Sequence, residues 1–147
     1  MPYNGDIKVK SFDEFTTINE MVANIRQLLN TISEFMDKNR FEVDIMSEAL
    51  EYINDNFNKD INLSFISNKF NLSYSYFSRI FKMYAGVSFT QYLLKVRMEK
   101  AKELLVSSPN LKIKEVASMV GYDFDNVQNF TRAFKNYFGK SPQYYKD

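Results

Sequence analysis

The sequence predicts an all-α fold, on three observations. Apolar residues recur at helical steps of three and four along most of the chain. No segment sustains the period-two alternation of a half-buried strand. A pattern of short helix, tight turn and longer helix is written twice within about the last hundred residues. The architecture these imply is two helix-turn-helix subdomains joined by a long linker helix and preceded by an N-terminal amphipathic, coiled-coil-like helix.

The N-terminal part comes first. Residues 1–10, with Pro2, Asn4 and Gly5, read as an unstructured lead-in. Phe15, Ile18, Val22, Ile25, Leu29, Ile32 and Met36 then alternate in steps of three and four, a period near 3.5 residues, and Met21, Leu28 and Phe35 widen the stripe. Such a seam points to dimerisation or to a signal linker, through Ile18, Val22, Ile25, Leu29, Ile32 and Met36. A helix folded back on its own domain is the alternative. The pattern breaks at Lys38–Arg40, which predicts a second helix over Val43–Asn56 with Ile45, Met46, Ala49, Leu50, Ile53 and Phe57 on its buried side. The expected organisation is therefore residues 1–40 as an appendage and 41–147 as the main domain.

The repeat specifies that domain. Phe77, Arg79, Phe81, Lys82, Tyr84, Gly86, Ser88 and Tyr92 return as Phe130, Arg132, Phe134, Lys135, Tyr137, Gly139, Ser141 and Tyr145, every pair 53 positions apart. Upstream the offset is 50, and Leu63, Ile66, Ser67 and Phe70 match Ile113, Val116, Ala117 and Val120. Asn71 and Gly121 follow, the residue types that tolerate the left-handed conformation of a tight helix exit. Ser73 and Asn126 are residues suited to cap the next helix. Helix-turn-helix units are thus expected at about 63–84 and 113–138. The linker helix, about 89–106, is ended by Ser107, Ser108 and Pro109.

The longer helix of each unit has two faces. Phe77, Ile80, Phe81 and Tyr84, then Phe130, Ala133, Phe134 and Tyr137, form an apolar side assigned to core. The other side carries Ser75, Ser78, Arg79 and Lys82, then Gln128, Thr131, Arg132 and Lys135. Small and amide side chains near the helix start, with cations farther along, suit a helix whose first turns meet base edges while basic groups reach phosphates.

Composition narrows the alternatives. In 147 residues, 45% hydrophobic and 25% charged is an ordinary composition for a folded chain. Without cysteine or histidine there is no disulfide, no thiolate nucleophile, no usual zinc site and no His-based triad. The carboxylates form no catalytic constellation, so no enzyme activity, catalytic residue, metal or cofactor is expected. No apolar run approaches the ~18 residues of a membrane span, and Met1–Phe15 lacks a signal-peptide core. The chain therefore reads as cytoplasmic, with no membrane contact. A net charge of +1 means that any basic surface is local.

The segments LSFISNKFNLSYSYFSRIFKMYAGVSFTQYLLKVRMEKAKELL and IKEVASMVGY, followed by NFTRAFKNYFGKSPQYYK, resemble the AraC/XylS family of bacterial transcription regulators over about Met46–Lys146. They look closest to the forms in response regulators and membrane-tethered regulators of Gram-positive bacteria. The resemblance implies sequence-specific binding of double-stranded DNA, with two recognition helices in adjacent major-groove segments, and an activator that works with RNA polymerase. By position, Ser75, Ser78 and Arg79, then Val127, Gln128, Thr131 and Arg132, would read bases. Tyr74, Tyr76, Lys82, Lys135 and Asn136 would touch the DNA backbone. Arg97 lies in the middle of the linker helix, a place that suits a brace between the two subdomains better than a DNA contact.

Two departures stand out. Asp123, Phe124 and Asp125 lengthen the second turn by about two residues over the family pattern and place acid beside the reading helix. Ser67 replaces the usual alanine. An all-helical adaptor docking through the heptad helix is the competing function; it would show no salt-dependent duplex binding.

Overall fold

The computed structural model describes residues 14–15 and 17–146, so the expected lead-in lies outside them. Among the described residues there are six α-helices and no strand: α1 (Ile18–Asn56), α2 (Leu63–Lys69), α3 (Tyr74–Ala85), α4 (Phe89–Ser107), α5 (Ile113–Met119) and α6 (Val127–Phe138), then a closing 3₁₀ turn at Pro142–Tyr145. The chain divides into two compact units, residues 1–44 and 45–147. Among the described residues no helix is long and apolar enough to cross a membrane.

The expected break at Lys38–Arg40 does not occur. α1 runs unbroken from Ile18 to Asn56, and no separate helix begins at Val43. Lys38, Asn39 and Arg40 interrupt the apolar stripe but remove no backbone donor, and no glycine or proline lies between Ile18 and Asn56. A change in which face is apolar is not a change in backbone conformation.

In the second unit the starts of α2, α3 and α4 each have a local cause. Asn62 Oδ1 accepts from the Phe65 N–H (2.9 Å) and starts α2. Ser73 Oγ accepts from the Tyr76 N–H (3.3 Å) and starts α3. Ser88 and Gln91 cap α4 reciprocally: Ser88 N–H donates to Gln91 Oε1 at 3.0 Å, and Gln91 N–H donates to Ser88 Oγ at 3.3 Å. Asn71 (φ 54°) and Gly121 (φ 84°) are left-handed at the two tight turns. Asn126 is a correction: it occupies the position before α6, but its side chain makes no capping bond. The lengthened turn delivers the chain there at φ −122°, ψ 55°, away from the extended geometry of Ser73 (φ −66°, ψ 147°).

The core has two clusters, each built on three helices. Met46, Ala49 and Ile53 of α1 pack with Ile66 of α2 and with Phe77, Ile80 and Phe81 of α3. Met98, Ala101 and Leu105 of α4 pack with Val116 and Ala117 of α5 and with Phe130 and Phe134 of α6. The repeat therefore reaches further back than the helix-turn-helix pairs. Met46, Ala49 and Ile53 correspond to Met98, Ala101 and Leu105 at an offset of 52, and all six are at most 1% exposed. α4 serves both clusters, because its first turns add Phe89 and Leu93 to the first.

The 3₁₀ turn repeats the start of α4. Gly86 and Gly139 both end their helices at φ 74°, each N–H bonding back to Lys82 or Lys135. Ser88 and Ser141 follow, then buried Phe89 and Pro142. Tyr92 meets Phe81 edge-on at 5.7 Å, as Tyr145 meets Phe134 at 5.6 Å. Tyr84 and Tyr137, assigned to core, are instead exposed at its edge. A phenol at such an edge keeps its oxygen within reach of polar partners, as the Tyr137 hydroxyl does by donating to Glu99 Oε1 at 3.4 Å. Ser67 is 1% exposed, and its hydroxyl is satisfied within its own helix by Ser64 O at 3.0 Å.

Candidate nucleic-acid interface

α3 and α6 turn equivalent apolar sides inward and equivalent polar sides outward. On α3, Tyr74, Ser75, Arg79 and Lys82 are exposed, and Tyr76 and Ser78 are half-buried. On α6, Gln128, Arg132, Lys135 and Asn136 are exposed, and Val127 and Thr131 are half-buried. Each residue assigned to DNA therefore keeps surface available. Neither helix contains an acidic residue, whereas α1 alone carries eight Asp and Glu against three Lys and Arg. The near-neutral total conceals two acid-free helices, each with an Arg and a Lys one turn apart.

The two exposed arginines are held differently. The Arg79 guanidinium lies over the Tyr76 ring, 5.1 Å from its centroid. Arg132 Nη2 donates to Asn129 Oδ1 at 3.0 Å. Among the described residues neither guanidinium is paired with a carboxylate. Asn129 is absent from the residues the sequence singles out; the signal was its position, 53 after Tyr76. Asn129, Arg132 and Asn136 also line an open groove of about 510 Å³ with Leu94, Tyr122, Ala133 and Tyr137.

The lengthened second turn folds on itself. Asp123 Oδ1 accepts from the Asp125 N–H at 3.0 Å, and Asp123 O accepts from the Asn126 N–H at 3.1 Å. Phe124 is covered on one face by the Lys114 ammonium, 4.7 Å from the ring centroid. Both aspartates precede the N-terminus of α6, where negative charge is favoured by the helix dipole. The turn thus makes contacts of its own, and one of its carboxylates is occupied by backbone.

Arg97, midway along α4, ties the second unit together. Its Nε donates to Phe57 O at 2.7 Å, and its Nη2 to Lys59 O at 2.9 Å. The guanidinium also lies 5.8 Å from the Tyr122 ring. Burial lowers the Arg97 pKa, partly offset by Tyr122 and Asp60, and burial raises that of Tyr122. A Cβ on Gly121 would stand 2.9 Å from Asn58 O and 3.0 Å from Arg97 Nη2. The loop after α1, the linker helix and the second tight turn therefore meet at one point. α4 itself, with 19 residues, spans about 28 Å.

Two helix-turn-helix units on one strut, each with a basic, acid-free outer helix, define a DNA-binding protein. A family model described as "Helix-turn-helix domain" matches residues 66–147, more than half of the chain. The Msm operon regulatory protein of Streptococcus mutans is 32% identical over 139 residues, covering 89% of this chain and 49% of that protein. The HTH-type transcriptional activator AarP of Providencia stuartii is 32% identical over 108 residues, covering 73% of this chain and 77% of that one. Among solved structures, the C-terminal domain of AraT, a response regulator from Geobacillus stearothermophilus, is 42% identical. It aligns at a TM-score of 0.65, covering 69% of this chain and 83% of that one. The chain belongs to the AraC family of DNA-binding transcription regulators. It spans about half the length of the Streptococcus relative.

Proposed function

We propose that the chain carries the DNA-reading part of a transcription activator, inserting α3 and α6 into adjacent major-groove segments of one asymmetric site. The observation that carries this reading is the duplicated outer face: Arg79 and Lys82 on α3, and Arg132 and Lys135 on α6, at equivalent positions on the two units. Phosphate contacts from Tyr74, Tyr76, Lys82, Lys135 and Asn136 supply salt-dependent affinity, and Ser75, Ser78, Arg79, Val127, Gln128, Thr131 and Arg132 supply sequence. Arg suits the bidentate reading of guanine O6 and N7, and Gln that of adenine. The 28 Å strut is of the order of the ~34 Å between successive major-groove faces on one side of B-DNA. The activator role follows the Providencia relative's name, and RNA polymerase is the partner that such a role calls for. The chain acts in the cytoplasm, where transcription takes place.

In the same reading, residues 41–147 are the DNA-binding domain and residues 1–40 a dimerising or signal-relaying segment. Ile18, Val22, Ile25, Leu29, Ile32 and Met36 are all exposed, with Ile18 at 76%. That leaves the 3.5-residue seam open to a second copy.

The test is selection from a random duplex library at near-physiological salt. Enrichment of two short boxes about 10 base pairs apart, centre to centre, supports paired insertion. Enrichment of the first box alone points to the lengthened second turn. No enrichment moves the adaptor reading forward.

A further inference from the structure

The two reading arginines differ in what holds them, and the holding residues are the same position of the repeat. Tyr76 and Asn129 are 53 residues apart, as are Arg79 and Arg132, and each lies three residues before its arginine on the same helix face. In α3 the contact is a ring under the guanidinium, 5.1 Å from centroid to Cζ. In α6 it is an amide oxygen accepting from Nη2 at 3.0 Å. The two chemistries have different consequences. A ring covers a face of the guanidinium and leaves all five N–H donors at its edges available. An amide oxygen consumes one of the five and fixes the rotation of the group about its long axis.

Both contacts lie at the protein surface, where such pairs add little to folding stability. Their effect falls on the arginine itself. An exposed arginine samples many rotamers and loses that freedom when it docks on a base. Limiting it beforehand lowers the cost of docking, and it does so selectively for the base pair that the limited orientation fits.

We infer that Tyr76 and Asn129 are paired positioning residues, which pre-orient Arg79 and Arg132 and thereby set how sharply each unit discriminates its base pair. The inference rests on the proposal that these two arginines read bases. It separates the two units: Arg79 presents a full fork from a stacked plane, while Arg132 presents a fork with one arm already engaged.

The experiment uses the full chain and the duplex enriched by selection, with every single-base variant of each box. The readout is the affinity ratio between preferred and substituted base pairs, not affinity alone. Tyr76→Leu lowers discrimination at one base pair of the first box by about threefold to tenfold, the scale of an arginine's lost rotamer restriction. Tyr76→Phe keeps the ring and keeps the ratio, even if loss of the hydroxyl weakens binding to all duplexes alike. Asn129→Ala lowers discrimination in the second box on the same scale. Asn129→Asp keeps the acceptor and the ratio while weakening binding uniformly through its added negative charge.

The decisive comparison is Asn129→Ala made on Arg132→Ala, and Tyr76→Leu made on Arg79→Ala. Positioning predicts no further loss of discrimination once the arginine is gone. A further loss at the same base pair overturns it, since the residue would then be reading directly. Unchanged ratios for Tyr76→Leu and Asn129→Ala, where the arginine variants flatten them, also overturn it. Unchanged ratios for the arginine variants instead overturn the base-reading proposal beneath it.

Discussion

Replacing Arg97 with methionine removes a fork of two charge-assisted hydrogen bonds while keeping most of the apolar stem. The bonds run to Phe57 O at 2.7 Å and Lys59 O at 2.9 Å. A hydrogen bond to a charged group contributes about 1.5–3 kcal/mol where its loss leaves a partner unsatisfied. Lys59 O retains the Ile61 N–H at 2.9 Å, so the larger penalty falls on Phe57 O. The substitution also relieves the desolvation that lowers the Arg97 pKa, which offsets part of the loss. The net is a destabilisation of about 2–3 kcal/mol, or roughly 10–20 °C in the thermal midpoint of a unit this size. Circular dichroism melting, with denaturant titration at constant slope, measures it. Arg97→Lys separates charge from geometry: an ammonium carries the charge but lacks the planar fork, so most of the loss remains. A midpoint within about 2 °C of the parent for Arg97→Met would refute the brace. Full recovery by lysine would show that charge alone suffices.

Further outcomes are expected. Gly121→Ala costs about 2–4 kcal/mol, from its left-handed φ and the close approach to Asn58 O. Gly86→Ala shares a positive φ but meets nothing within 4 Å and costs about 1–2 kcal/mol; equal denaturation midpoints for the two would discount the close approach. Burial raises the Tyr122 pKa above its ordinary 10.0, so its contribution is fully present below pH 10 and is lost as pH rises through the folded value; Tyr122→Phe makes the alkaline limb of the stability–pH curve shallower. Arg132→Ala loses about 1–3 kcal/mol of discrimination at one guanine-bearing base pair of the second box, and equally sharp footprints for variant and parent would count against base reading. Ile25→Asp together with Leu29→Asp abolishes concentration-dependent association in sedimentation, and association that persists removes the seam as the dimer interface.

Features that depend on a residue's own backbone or its near neighbours were legible in the linear chain. Asn71 and Gly121 adopt positive φ where the tight turns were read, as Gly86 and Gly139 do at matching positions of the repeat, because conformational preference at these residue types is local. Ser73 and Ser88 cap helices through bonds to residues three positions on. The phenylalanines of the repeat are buried at both copies, since a helix has one way of placing Phe77 and Phe81, or Phe130 and Phe134, on a single face.

Other features required distant chain to come together. The third helix of each unit was read as a helix but not as part of the repeat, because an apolar triplet such as Met46, Ala49 and Ile53 is common to any buried helix and acquires meaning only beside its partners. The break assigned to Lys38–Arg40 mistook a shift of the apolar face for an end of the helix. Asn126 has the chemistry of a cap but reaches its position through a turn of the wrong geometry. Arg97 shows the division most plainly. Its charge and its place in the linker helix are evident from the chain alone, yet its partners are carbonyls 40 and 38 residues away. Backbone carbonyls are present at every position, so no pattern of side chains marks the two that the fold brings within reach.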